Sequence, residues 1–309
     1  MKFAGRINSF LFQTKESVID AIEEYKKIKG ITHLEFNYPE HFKDYGIEEL
    51  KKHFGNLKVN GVATRFREAF SGGEFTNHDE ELRLKAVEIG KEAVDVCRRL
   101  GGDTVTIWQA YDGFDYPFQL NYERAWNEIV AAIREIADYG KDIKISLEYK
   151  PFEPRGTAAL DSIGTTLVAI KEIDRKNVGT TLDFCHMLMK HDSPAYAIVQ
   201  AAHMNALYGL HMNDGDGAMD NGMIFGTVNT SRALEFVYYL KKYHYDGVVF
   251  FDTFPVREKV HEEVQANIEM FTAINNAIDA IGMETIEHTI EKNDGVAAQQ
   301  LILHLLENM

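Results

Sequence analysis

The stretch Ile145-Ser-Leu-Glu-Tyr-Lys-Pro-Phe-Glu-Pro-Arg155 constrains what this chain can fold into more than any other. A β-type run leads into Glu148 and Lys150, and Pro151 and Pro154 then stop further strand pairing. Side chains alternate along a strand, so Glu148 and Lys150 share one face at one end. Two charges buried there must be paired or must serve a metal or a substrate. Three later apolar runs end the same way. Residues 178–186 deliver Asp183 and His186, residues 207–214 deliver His211 and Asp214, and residues 247–253 deliver Asp252. Helix-period segments separate these runs, which predicts parallel strands with all their C-terminal ends on one side. Glu148, Asp183, His211 and Asp252 can therefore converge, far apart in sequence as they are. Three carboxylates and an imidazole make an oxygen-rich shell suited to Mn²⁺, with Mg²⁺ or Co²⁺ as alternatives.

Four further β-type runs precede these, at residues 3–12, 32–37, 57–66 and 101–108, with helical periodicity between them. Eight strands alternating with helices predict an α/β protein, a (β/α)₈ TIM barrel with its active site at the C-terminal mouth. The barrel is expected over residues 1–272. A helical extension over 273–309 would cap it or pair subunits in a homo-oligomer. Asn77 or Asp79 is expected to cap a helix over 80–100. The loop Ser71-Gly-Gly-Glu-Phe-Thr-Asn-His-Asp79 is either the entry to that helix or a pocket wall formed by Phe75. Trp108 and Gln109 end a strand level with the metal candidates. The aromatic loop 111–122 suits a substrate entrance.

The 309 residues suffice for one such domain, and the formal charge of −15 disfavours a polyanionic partner. Nucleic acid is therefore not expected as a ligand. The two cysteines, Cys97 and Cys185, form no disulfide framework, which fits a cytoplasmic protein. The N-terminal residues lack an apolar signal core, and no run of eighteen apolar residues occurs, so neither export nor membrane insertion is expected.

The motifs Glu148-x-Lys150-Pro-x-Glu-Pro-Arg155, Asp183-x-x-His186, His211-x-Asn213 and Phe251-Asp252-x-x-Pro resemble the machinery of xylose isomerases. Barrel relatives such as rhamnose isomerase and the ketose epimerases share the likeness, which covers roughly residues 60–260. It implies a structural metal at Glu148, Asp183, His211 and Asp252. A second, mobile ion would use Asp183 or His186 with acids of the Asp214–Asp220 loop, Asp220 above all. Glu148, Lys150, His186 and Asp252 become the candidate catalytic residues, with Lys150 beside the substrate oxygen. Trp108 and Phe75 would wall the path of the migrating hydrogen. Glu153 and Arg155 either contact substrate or form a local ion pair. Four departures accompany the likeness. Asp183 stands where the longer glutamate is more common, His211 replaces an aspartate, Gly222 stands where a second acid is usual, and Asn37 stands where a ring-opening histidine is usual.

The implied reaction is a divalent-metal-dependent interconversion of an aldose and a ketose, with a small sugar as the substrate. Stabilising charge on two adjacent oxygens calls for a Lewis acid, and Lys150 adds a donor. The hydrogen would move as a hydride beside Trp108, or as a proton through an enediolate with Glu148 or an assisted water as base. Epimerases of this fold commonly place glutamate at the eighth strand, so Asp252 points to an isomerase. The alternatives are a sugar epimerase and a metal-dependent lyase or C-glycoside deglycosidase acting on an oxidised sugar. A zinc nuclease of the same fold, a non-catalytic sugar-binding protein, and strand-end acids that merely cap helices or pair with arginine are the further alternatives.

Overall fold

A computed structural model describes residues 1–309, the Glu68 side chain excepted. Eight strands run in chain order as β1 Lys2–Arg6, β2 Ile31–Tyr38, β3 Lys58–Thr64, β4 Thr104–Trp108, β5 Lys144–Glu148, β6 Val178–Asp183, β7 Leu207–Met212 and β8 Val248–Phe251. Each pairs in parallel with its neighbour, and β8 pairs with β1, closing the barrel. The expected (β/α)₈ architecture is the observed one. A two-residue antiparallel pairing joins Gly113–Phe114 to Thr157–Ala158 at the mouth, tying the aromatic loop to the segment that follows Lys150.

Helices cover the sheet because their apolar faces recur at helical spacing. The helix Glu80–Leu100 buries Ala86, Val87, Gly90, Ala93, Val94 and Cys97, and Asp79 caps its start by accepting the Glu81 N–H. The helix Tyr122–Tyr139 buries Ile129, Ile133 and Ile136 beside it. Each such aliphatic side chain contributes about 1.5–3 kcal/mol on burial. Inside the barrel the packing differs. Ala4, Val248 and Phe250 form a small apolar cluster apart from the main core. The Ser146 and Thr181 hydroxyls meet at 2.6 Å.

Three elements depart from expectation. The first strand ends at Arg6, and residues Ile7–Thr14 are helical, burying Ile7 and Phe10. Spacing of 3.6 residues takes over there, and Phe12 is left exposed at the rim. The run 178–186 is a strand only to Asp183; Phe184–Lys190 forms a helix that Asp183 caps. The proposed division at 272/273 falls inside the helix Val260–Ile281, whose buried Ile274, Ala277 and Ile278 continue the face begun by Val264 and Ile268. Two further helices, Met283–Glu291 and Gly295–Glu307, complete the tail. No helix is long and apolar enough to cross a membrane among the described residues.

Candidate metal centre

Strand register brings the polar ends level. Trp108 lies opposite Glu148 across β4 and β5, Asp183 opposite His211 across β6 and β7, and His211 opposite Phe250 across β7 and β8. Asp252 lies two residues beyond Phe250 and so shares its inward direction. Glu148, Asp183, His211 and Asp252 are all buried, and one ligand atom from each lies within 4.8 Å of the others.

The residues fit a cation. His211 Nδ1 is buried 3.1 Å from Glu148 Oε1 without an aligned hydrogen-bond partner. Asp252 Oδ1 is likewise buried without one, 2.9 Å from Arg6 Nε. Burial pushes the Asp183 carboxyl up, and Asp220, Glu148 and Asp252 add to this against the opposing pull of His186. Burial acts against the Glu148 charge too, but His211, His186 and Arg65 hold that carboxyl low. The surplus of negative charge thus falls on Asp183, and a divalent cation would relieve it. Such an ion would be held by three carboxylates and His211 Nδ1.

Neighbouring groups orient these ligands. Asp183 Oδ1 accepts the His186 N–H at 3.0 Å and its Oδ2 accepts from Asn213 Nδ2 at 3.1 Å. Asp183 is therefore a helix cap and a member of the cluster together. Across the barrel, buried Glu35 lies 3.3 Å from His211 Nε2 and accepts from Asn60 Nδ2 at 2.6 Å. A proton on Nε2, facing Glu35, leaves the Nδ1 lone pair to the cluster. Sequence reading missed Glu35 as part of the site. Its only signal was its place on the same strand face as His33, because its partner arrives from β7. Glu35→Ala is expected to weaken divalent-ion binding about 10–100-fold, measured by metal titration, with Glu35→Asp recovering part of the loss.

His186 and Asp220 are arranged differently. His186 Nδ1 faces the Tyr149 carbonyl at 3.0 Å and its Nε2 faces Asp220 Oδ2 at 3.3 Å. Lys150 Nζ lies 3.0 Å from the same Asp220 oxygen and 3.1 Å from Glu153 Oε2. Where a second ion was expected, the ammonium and the imidazole share the carboxylate. Burial works against the Lys150 charge, but Asp220 and Glu153 more than offset it and raise its pKa. Asp214 is occupied structurally, accepting the backbone N–H groups of Val228 and Asn229 and the Asn229 amide. Gly222, with φ of +58°, could not carry an acid without movement, since a Cβ there would lie 2.4 Å from the Phe254 ring.

A cavity of about 280 Å³ opens above this floor. Trp108, Glu148, Lys150, Glu153, His186, Asp220 and Asp252 line it. Arg6, Arg65 and Arg67 line it too, with Phe12 and Phe254. Arg155 is not among the lining residues and pairs with Asp115 at 2.9 Å, while Glu153 pairs with Lys150, so neither the substrate contact nor the Glu153–Arg155 ion pair expected for Arg155 is what forms. Phe75 is also absent from the lining and packs edge-on against Phe66, wholly buried. The cause is Asp112, whose carboxylate accepts the Glu74, Phe75 and Thr76 N–H groups at 2.9, 3.1 and 2.9 Å and draws the loop inward. Asn37 is buried outside the lining, and its N–H donates to His41 Nδ1 at 3.0 Å.

Several known proteins are similar to this chain. Xylose isomerase of Thermus thermophilus is 28% identical over 238 residues, 74% of this chain and 62% of the relative. Xylose isomerase of Thermus caldophilus is 26% identical over 64% of this chain and 52% of the relative. The chain thus spans little more than half to three-fifths of the length of these curated relatives. Among solved structures, D-allulose 3-epimerase from Methylomonas sp. superposes with a TM-score of 0.73 at 18% identity, covering 89% of this chain and 98% of that one. A D-tagatose 3-epimerase-like protein gives 0.70 at 21% identity, covering 91% and 100%; both show the shared fold. The family model described as xylose isomerase-like TIM barrel matches residues 20–274, and the chain belongs to that family.

Proposed function

We propose that this protein is a divalent-metal-dependent sugar isomerase that interconverts an aldose and a ketose. The observation that carries the reading is the buried Glu148, Asp183, His211 and Asp252 group under a sugar-sized cavity with Lys150 beside it. The curated relatives named xylose isomerase support it further. A bound ion would supply Lewis-acid stabilisation of charge on sugar oxygens; Mn²⁺ suits the donor set best. Lys150 Nζ, kept protonated by Asp220 and Glu153, would donate a hydrogen bond to the reacting carbonyl oxygen. Trp108, whose ring centroid lies 5.5 Å from Lys150 Nζ, would exclude water from the path of the hydrogen. Glu153 and His186 would position Lys150 and Asp220.

A sugar epimerase would draw on the same groups, and one experiment separates the two. Mn²⁺-reconstituted protein is incubated with aldoses and ketoses in deuterated water, and products are identified by NMR and mass. An aldose and ketose pair supports the isomerase, and a pair of ketoses supports the epimerase. Solvent deuterium in the product marks proton transfer, and its absence marks hydride shift. A product of altered mass would move the assignment to a lyase, and no turnover with any divalent ion would remove it.

A further inference from the structure

Four cations, Arg6, Arg65, Arg67 and Lys150, line the mouth cavity beside four carboxylates, Glu148, Glu153, Asp220 and Asp252, but the two sets are not evenly paired. Lys150 is matched by Asp220 and Glu153, and Arg67 by Glu40. Among the described side chains Arg6 is matched only by Asp252, which is itself a member of the metal-capable group. A cation bound there would draw on the Asp252 charge and leave Arg6 with less compensation. Among the described side chains no carboxylate lies within 4.0 Å of the Arg65 guanidinium, which sits 5.5 Å from the Trp108 ring centroid. Phe254 stacks over Arg6 at 4.5 Å and fixes its plane. Arg6 and Arg65 line the same cavity.

Like charges lining one cavity are costly unless an anion bridges them. A guanidinium presents a planar fork that matches a carboxylate or a phosphate with two parallel hydrogen bonds. The rest of the chain, at −15 overall, offers an anion little attraction. Resting on the sugar reading above, we infer that the substrate carries an anionic group, a carboxylate or a phosphate, seated between Arg6 and Arg65 while its reacting carbons face Lys150.

Calorimetry on the Mn²⁺-loaded protein with D-glucose, D-glucuronate and D-glucose 6-phosphate tests this, since the three share a skeleton and differ at one end. At least one anionic sugar should bind about ten-fold or more tightly than glucose, the gain expected of a charge-assisted contact. Preference for glucuronate marks a carboxylate, and preference for the 6-phosphate marks a phosphate. Arg65→Gln should remove the preference, and Arg65→Lys should restore part of it by keeping the charge without the fork. Circular dichroism checks that both variants remain folded. Equal affinity for the three sugars, absence of binding by either anion, or a preference that survives Arg65→Gln overturns the inference. Anionic sugars that bind tightly without conversion would refute the reaction and keep this inference. Turnover of a neutral sugar with no anion preference would do the reverse.

Discussion

Glu148→Gln is expected to remove divalent-ion binding and with it all turnover, the largest effect of any single substitution in this protein. Glu148 lies at the centre of the group, 3.1 Å from His211 Nδ1 and 3.7 Å from His186 Nδ1. Glutamine keeps the volume but replaces a charged oxygen with a neutral amide, and a hard divalent cation depends on charged oxygen donors. Loss of an outer partner costs about 10–100-fold in affinity, so loss of a direct ligand should exceed the upper end of that range. Thermal unfolding with and without Mn²⁺ reads the result without relying on activity. The wild type should gain stability with ion concentration by mass action, and the variant should gain none at the same concentrations. An ion-dependent rise in Tm equal to that of the wild type would show that Glu148 is not a ligand.

Lys150→Met should separate chemistry from ion binding. The ammonium is buried between Asp220 and Glu153 and held charged by them, so methionine of similar length removes a donor without opening a large void. Removal of one donor aimed at developing negative charge costs about 10²–10³ in kcat, and a fall of that size is expected here. Ion affinity should change little, because Lys150 is not a member of the four-residue group. Asp220 would lose one partner and keep His186 at 3.3 Å, and breaking a buried pair carries a stability cost of about 3–5 kcal/mol. Lys150→Arg controls for that cost. It keeps the charge beside Asp220 while displacing the donor, so stability should return without full activity. Unchanged kcat in Lys150→Met would remove Lys150 from the chemistry.

The two substitutions probe residues that alternation along one strand had already linked, and this explains how much of the site was legible. Glu148, Asp183 and His211 end apolar β-type runs and Asp252 follows one, and a parallel barrel gathers such ends at one mouth whatever the separation in sequence. The alternative reading of single acids as caps or arginine partners also describes real contacts. Asp183 does cap a helix and Asp252 does meet Arg6. A carboxylate has two oxygens, and a local contact leaves the other available to the group.

Other residues were hidden by causes specific to each. Arg6 was obscured because residues 3–12 read as one β-type run. The helical spacing of Ile7, Phe10 and Leu11 was the sign that the strand stops at Arg6, which places that guanidinium at the mouth. Glu35 gave only the faint sign of sharing a strand face with His33, since its partner is a histidine arriving from the far side of the barrel. Phe75 read as a pocket wall because nothing local to the Gly-rich loop shows that Asp112, from another loop, pulls its backbone inward. The two-residue pairing of Gly113–Phe114 with Thr157–Ala158 is equally non-local.

Periodicity and strand-end chemistry alone determined the barrel, the side on which the site lies and the four residues able to hold an ion, because these follow from repeats of two and 3.6 residues along a single chain. Only the tertiary structure decided that Lys150 and His186 share Asp220, that Glu35 faces His211 Nε2, and that arginines from β1 and from the turn after β3 line one cavity. Each of those depends on distances between side chains from different strands, which are set by barrel closure and register and leave no trace in local sequence pattern.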